Sequence, residues 1–156
     1  MSDLGYRHLL LAADFTPESD VVVGRATDIR ERFGARLSLV HVVEQVPAVT
    51  DYAGGDLGAE VAFSGDMKLE QELLGLARKE LDALGERLDV PPADRVVEFG
   101  PTGRSIERVA ADLGVDLIVV GARDRNWLER LFGSTSKTLL RHEVCDLLAV
   151  RIVSGE

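Results

Sequence analysis

The sequence is poor in aromatic residues, in cysteine and in positive charge, and each shortage excludes a class of protein. Aromatic residues make up 5% of the 156 positions, so aliphatic side chains must fill the core. A single cysteine, Cys145, excludes an internal disulfide and is typical of a reducing compartment. Because free cysteine is among the most buried residue types, Cys145 is expected to be buried.

The chain carries a formal net charge of −9, whereas proteins that bind nucleic acids or anionic membranes present basic surfaces. Such acidity favours solubility through self-repulsion. The N-terminal apolar run HLLLAAD stops at Asp14, too early for a signal peptide or a transmembrane span. The sequence therefore predicts a cytoplasmic protein whose partner is neither a nucleic acid nor a membrane.

Five short aliphatic runs alternate with segments of helical spacing. The runs show little alternation of apolar and polar residues, which is typical of strands covered on both faces. They predict strands at 8–14, 37–43, 95–100, 116–121 and 147–153. Nothing indicates a second domain or an internal repeat, so residues 1–156 are predicted to form one domain.

Four segments between the runs predict helices. The first begins after Thr16-Pro17 and ends at Gly34, and the third ends at Gly114, as expected of capped helices. The apolar faces are predicted to be Val22, Ala26, Ile29 and Phe33 in the first helix, Leu69, Leu73, Leu76, Leu81, Leu84 and Leu88 in the second (about 68–88), Ile106, Val109, Ala110 and Leu113 in the third, and Leu139 and Leu140 in the fourth, which starts at Ser134.

This order predicts an α/β fold, a doubly wound five-stranded parallel sheet with four helices on both faces. Ligands bind such sheets beyond the carboxyl ends of the strands, where the strand order reverses. One connection, Glu44 to Met67, is long, without periodicity and rich in glycine and acid. It is either a lid over a ligand or a disordered segment.

The stretch GARDRNWLERLFGSTS, residues 121–136, is the strongest candidate site. It is a polar loop with three arginines between a predicted buried strand and a predicted helix. Backbone N–H groups and the hydroxyls of Ser134, Thr135 and Ser136 at a helix start can bind an anion such as phosphate. The alternative is an N-cap without a ligand.

Asp14, at the end of the first predicted strand, has three open interpretations. It is an acceptor for a ribose or a nucleobase, a carboxylate near a metal ion, or a turn and capping residue.

Catalytic and metal motifs are missing. GPTGRS, residues 100–105, lacks the lysine and the glycine spacing of a phosphate loop, and no G-x-G-x-x-G opens the first helix. Neither a nucleophile elbow nor metal-ligand spacing of His8, His41 and His142 is present. His41 is expected to be a hydrogen-bonded core histidine.

The segments LLLAADF and LSLVHVV, followed by DLIVVG, LFGSTS and CDLLAVR in that order, resemble the universal stress protein family over essentially the whole chain. The resemblance implies a sheet of the adenine-nucleotide alpha-hydrolase type. It also implies a homodimer in which residues 148–153 pair antiparallel with their symmetry mate, which protects an exposed strand edge.

ATP-binding members of that family carry a motif that reads G-x-x-G, then a spacer, then G-[ST]. The resemblance therefore implies ATP, with or without Mg²⁺, as the ligand. Gly121 matches the first glycine, Gly133 and Ser134 match the final pair, and Asp14 and Val42 match residues that hold the adenosine. The candidate nucleotide-binding residues are Ala12, Ala13, Asp14, Val42, Val120, Gly121, Arg123, Asp124, Arg125, Gly133, Ser134, Thr135 and Ser136.

Asp124 departs from this pattern, since it stands where the motif has its second glycine. Aspartate lacks the conformational freedom of glycine and repels phosphate, so it is predicted to weaken nucleotide binding. Four nearby cations, Arg123, Arg125, Arg130 and Lys137, can offset one carboxylate.

The function expected from the resemblance is a nucleotide-responsive regulatory or stress-response module with an unidentified protein partner and at most slow hydrolysis. Two alternatives remain open. One is a nucleotide-independent stress-response dimer that regulates a protein partner. The other is a slow ATP-hydrolysing or nucleotidyl-transfer enzyme, which sustained ATP turnover would reveal.

Overall fold

The aliphatic runs of the sequence form a parallel sheet. The computed structural model describes residues 5–44, 56–123 and 145–153, with side chains from residue 68 onward in the second range. Within these ranges the strands are β1 (His8–Ala12), β2 (Arg36–Val43), β3 (Arg95–Phe99), β4 (Leu117–Ala122) and β5 (Asp146–Arg151). The sheet has the order β3-β2-β1-β4-β5, so the direction in which strands are added reverses between β1 and β4.

The central strand β1 pairs in parallel with both β2 and β4. Leu9, Leu10 and Leu11 are all 0% exposed, because Leu9 and Leu11 face one layer and Leu10 faces the other. A strand that is buried on both faces carries apolar residues on both, so its sequence does not alternate between apolar and polar residues. The prediction of a doubly wound, five-stranded parallel sheet is confirmed.

Three α-helices lie within the described ranges: α1 (Asp20–Phe33), α2 (Asp56–Leu88) and α3 (Thr102–Leu113). The layer of Leu9 and Leu11 contains residues of α1 and α2, and the layer of Leu10 contains residues of α3. The helices therefore cover both faces of the sheet. The predicted fourth helix, from Ser134, lies outside the described residues.

The predicted ends of α1 and α3 are confirmed. Gly34 follows α1 with φ 61° and Gly114 follows α3 with φ 69°. Both lie in the left-handed region that glycine enters without steric cost, and both donate their N–H back to the last turn.

The second helix begins earlier than the sequence predicts. It starts at Asp56, so the alternative of a disordered segment is wrong for 56–67. The lid alternative stays a prediction, and 45–55 lie outside the described residues. Gly58 and Gly65 each cost about 1 kcal/mol in a helix. Extending a helix that the leucine-rich part has already nucleated needs no new nucleus, however, and this outweighs the glycines.

Among residues 68–88 of α2, whose burial the structure describes, the C-terminal part packs closest on the sheet. Leu81 is 0% exposed and Leu84 8%, whereas Leu69 is 41% and Leu76 59% exposed. The prediction that the whole leucine stripe faces inward is therefore wrong for Leu69 and Leu76. The 33 residues of α2 span about 50 Å at 1.5 Å per residue, while the 8 residues of β2 span about 26 Å. The helix is longer than the surface that can bury it.

Cys145 is half-buried rather than fully buried as expected. Its side chain packs against the layer of Leu10. Burial, followed by the charges of Asp146 and Asp116, raises the pKa of the thiol to about 11. Because the thiolate is the nucleophilic form, this cysteine is unreactive at neutral pH.

A buried arginine joins α2 to β3. The side chain of Arg95 is 5% exposed; its Nε donates to the Val90 carbonyl at 2.9 Å, and its Nη2 donates to Glu86 at 2.8 Å. Gly85 lies directly against this guanidinium, since a Cβ at that position would come within 2.1 Å of Nε. The close approach of helix and strand therefore requires glycine at 85.

We predict that Gly85→Ala lowers the free energy of unfolding by about 1–3 kcal/mol, because the added methyl must displace the Arg95 side chain. Gly75→Ala is the matched control in the same helix, where nothing lies within 4 Å of the added Cβ. It is expected to be neutral or to stabilise by up to about 1 kcal/mol. Urea unfolding monitored by circular dichroism measures the free energy of unfolding of both variants. Equal changes in the two variants would contradict the close contact between Gly85 and Arg95.

Candidate functional site

The carboxyl ends of β1, β2 and β4 border a cavity of about 380 Å³ at the reversal of strand order, here called the switch-point cavity. Strand ends and the first turns of α3 form its walls. It is lined by the predicted residues Ala12, Ala13, Asp14, Val42, Val120 and Gly121, together with Val40, His41, Glu44, Thr102 and Ile106.

Arg123 lies beside this cavity and contacts Asp14. The structure thus brings together those predicted residues that precede position 124. The other predicted site residues, Asp124, Arg125, Gly133, Ser134, Thr135 and Ser136, lie outside the described residues.

Asp14 is held by hydroxyl and N–H groups of the loop that follows β1. Its Oδ1 accepts hydrogen bonds from the Thr16 N–H at 3.1 Å, the Thr16 hydroxyl at 3.0 Å and the Ser19 hydroxyl. Its Oδ2 accepts from Arg123 Nη2 at 3.2 Å. The turn interpretation of Asp14 is therefore observed. Within the described residues Oδ2 has this one donor, and a carboxylate oxygen can accept two.

These contacts set the protonation of Asp14. Burial alone would raise the pKa of this carboxyl, but the hydrogen bonds from Ser19 and Thr16 and the charge of Arg123 outweigh it. They hold the pKa of Asp14 below its usual value. Asp14 is therefore ionised at neutral pH and offers a ligand an acceptor.

Arg123 connects the end of β4 to the loop after β1. Its Nη2 also donates to the Thr16 hydroxyl at 3.2 Å, and its Nη1 lies 3.7 Å from a carboxylate oxygen of Glu18. The sequence predicts this cation as a phosphate partner. Two carboxylates, Asp14 and Glu18, already offset its charge.

Gly121 has a packing role that does not depend on a ligand. A Cβ there would lie 2.5 Å from Ile152 Cδ1 and 3.1 Å from Val22 Cγ2. The glycine lets β4 approach α1 and the chain after β5. Its value to the fold is close approach, since it is not among the glycines with positive φ.

His41 is hydrogen-bonded, as the sequence predicts, although it is only partly buried. Its Nδ1 lies 2.6 Å from the Ala13 carbonyl oxygen, which can only accept, so Nδ1 carries the proton. The ring packs on Phe15 with centroids 4.5 Å apart. Phe15 has φ 64°, a left-handed conformation that is rare for a bulky residue and costs about 1–3 kcal/mol. The packed rings help to hold the loop after β1.

Sequence reasoning missed polar residues that complete the site. Thr16 and Ser19 follow Asp14 by two and five positions, a spacing that could have indicated a hydroxyl-rich turn around a carboxylate. Glu44 directly follows β2 much as Asp14 follows β1. Thr102 has no such signal, because its contact with Glu44 depends on where α3 starts relative to β2.

No three His, Cys, Asp or Glu side chains in the described part of the chain are arranged to hold a metal ion. Within the same part, every helix is too short or too polar to cross a membrane.

The model of the universal stress protein family matches residues 5–151. The chain belongs to this family. It is 33% identical over 145 residues to universal stress protein A homolog 1 of Coxiella burnetii, with 93% of this chain and 96% of the relative covered. It is 32% identical over 148 residues to homolog 2 of the same organism, with coverage of 94% and 96%.

Solved structures share the fold of this universal stress protein. The hypothetical protein MJ0577 has a TM-score of 0.68 at 17% identity, with 97% of this chain and 100% of that chain covered. A universal stress protein in complex with cAMP has a TM-score of 0.52 at 19% identity, with coverage of 94% and 97%. At such identities the similarity shows the fold alone.

We predict that Ser19→Ala raises the pKa of Asp14, because it removes the strongest of the hydrogen bonds that favour the carboxylate. A folded-state pKa below the unfolded value stabilises the protein above the unfolded pKa, and this contribution is lost as pH falls through the folded pKa. The variant should therefore lose less stability on acidification. Carboxyl NMR titration measures the pKa. Ser38→Ala, whose hydroxyl contacts His8 instead, is the control, and an unchanged titration in Ser19→Ala would contradict the prediction.

Proposed function

We propose that this universal stress protein binds an adenine nucleotide in the switch-point cavity and acts in the cytoplasm as a nucleotide-responsive regulator of a protein partner. ATP, with or without Mg²⁺, is the first candidate. The observation that carries the proposal is an apolar cavity around an ionised Asp14 at the reversal of strand order. A structural neighbour in complex with cAMP supports the choice of an adenine nucleotide.

The cavity fits the nucleoside part of such a ligand. Its volume of about 380 Å³ lies within the range of small-molecule sites. Val42 and Val120 supply apolar walls for a base, and Asp14 supplies an acceptor for ribose hydroxyls. Phosphates would then lie after β4, next to the polar stretch 121–136, so that phosphate, ribose and base follow β4, β1 and β2 in the order of the sheet.

Two features weaken phosphate binding in this proposal. Arg123 is shared with Asp14 and Glu18, so a phosphate must compete with two carboxylates for it. Asp124 adds a further negative charge at a motif position. Because Gly121 is required by packing, replacing it would change the stability of the fold and would not test phosphate binding. The tests of phosphate binding therefore use other positions.

We expect Asp124→Gly to bind ATP more tightly than the native chain, by about fivefold. A carboxylate within about 4 Å of a phosphate costs on the order of 1 kcal/mol in water. Ser134→Ala should bind more weakly, because it removes a donor at the predicted helix start. Isothermal calorimetry measures all three proteins. Absence of ATP binding by both the native chain and Asp124→Gly would overturn the proposal.

We expect Val42→Phe to reduce ATP affinity at least tenfold, because the larger side chain fills the switch-point cavity, the one of the two cavities that Val42 lines. Ala83→Leu is the matched control. Ala83 lines a second cavity, of about 480 Å³, between the loop after β1, α1 and α2. Calorimetry with ATP on both variants distinguishes the two locations. Loss of binding in Ala83→Leu alone would place the nucleotide in the second cavity.

We also propose that a second copy of the chain pairs with β5. This strand lies at the edge of the sheet, and in the described residues β4 is its one partner strand. An unpaired strand edge favours association. Val153, just beyond the strand, is 72% exposed, and antiparallel pairing of 148–153 would set it opposite Leu148 of the second copy.

We expect Val153→Asp to shift the protein from dimer to monomer, because it places an unpaired carboxylate against an apolar side chain at this interface. Val21→Asp, at a 44% exposed position of α1, is the control and should remain dimeric. Sedimentation velocity at micromolar concentration measures both. A native chain that sediments only as monomer would contradict the assembly.

A further inference from the structure

One end of the switch-point cavity carries a carboxylate–hydroxyl pair, formed by Glu44 and Thr102. Glu44 directly follows β2, and Thr102 is the first residue of α3. The Thr102 hydroxyl donates to Glu44 Oε1 at 2.8 Å. Both residues line the cavity beside the apolar side chains of Val42 and Ile106. A few placed polar groups in an apolar site orient a ligand and make it specific.

This pair presents hydrogen-bond acceptors to the cavity. The hydroxyl hydrogen of Thr102 is committed to Oε1, and within the described residues no donor contacts the other carboxylate oxygen of Glu44. An ionised carboxylate can only accept. The carboxylate lies next to the first residue of α3, at the helix end whose N–H groups carry partial positive charge. The fold thus keeps an acceptor at this end of the cavity.

The order of the strands places this acceptor where a base would lie. Strands β4, β1 and β2 are neighbours, and neighbouring strands lie about 4.8 Å apart, so the end of β2 is about 10 Å from the end of β4. With phosphates after β4 and ribose at Asp14, the base reaches Val42 and Glu44. An exocyclic amino group on that base would donate to Glu44. An oxo group at the same position would place its oxygen against the carboxylate of Glu44, and two acceptors cannot hydrogen-bond to each other.

We infer that Glu44, positioned by Thr102, selects the base of the ligand. The cavity takes purines with a 6-amino group and rejects purines with a 6-oxo group. This inference rests on the proposed function and adds to it the residue that distinguishes one base from another.

The test compares ATP with ITP, in which a 6-oxo group replaces the 6-amino group and N1 carries a proton. The native chain is expected to bind ATP about tenfold more tightly, since a site built for one hydrogen-bonding group is left with unpaired acceptors by the other. In Glu44→Gln the ratio of the two affinities should fall towards one, because the amide can donate to the oxo group. In Thr102→Val the ratio of the two affinities should fall to a value between those of the native chain and Glu44→Gln, because Glu44 remains but loses the hydrogen bond from the Thr102 hydroxyl.

Glu98→Gln is the charge-matched control. Glu98 lies on the neighbouring strand β3 and pairs with Arg108, so its replacement should leave the ratio unchanged. Calorimetry measures the affinities, and circular dichroism checks that each variant is folded. Equal affinity of the native chain for ATP and ITP, or an unchanged ratio in Glu44→Gln, would overturn the inference and leave nucleotide binding intact. Failure of the native chain to bind either nucleotide would instead overturn the proposed function.

Discussion

The burial of β1 on both faces and both edges is the constraint on which the rest of the structure depends. Leu9, Leu10 and Leu11 are 0% exposed, and the strand pairs with β2 on one side and β4 on the other. After β1 the chain passes through α1 to β2 on one side of β1, whereas β5, the next strand after β4, lies on the far side of β4. The connections from the carboxyl ends of β1 and β4 therefore lead in opposite directions along the sheet, and α/β sheets bind ligands at such a point.

The polar groups at this edge are organised around Asp14. Thr16 and Ser19 hold one carboxylate oxygen and Arg123 holds the other, which keeps the charge in place before any ligand arrives. A preorganised acceptor needs little reorganisation on binding. The same contacts occupy Arg123, so a phosphate gains less from this cation than it would from a free one. In the proposed function, the nucleoside part of the nucleotide therefore contributes more to binding than its phosphates do.

Local signals in the sequence predicted the parts of the fold that depend on local physics. Gly34 and Gly114 end helices because only glycine enters the left-handed region freely, and the run Leu9–Leu11 identified a strand because double burial removes alternation. The failures have non-local causes. Residues 56–67 are helical through propagation from a neighbouring segment. Leu69 and Leu76 are exposed because α2 is longer than the strands beneath it.

For the site, the sequence by itself determined which residues reach the carboxyl edge. Asp14 and Val42 lie there because aliphatic runs end at or next to them, and the family pattern suggested the roles proposed for them. Only the tertiary structure decided their contacts. Arg123 meets Asp14 across 109 positions, Thr102 meets Glu44 across 58, and Gly121 is required because Ile152 would lie 2.5 Å from a Cβ there. Such contacts follow from strand order, register and packing distances, which involve residues far apart in the chain, whereas strand ends and helix caps are set by a few neighbouring residues.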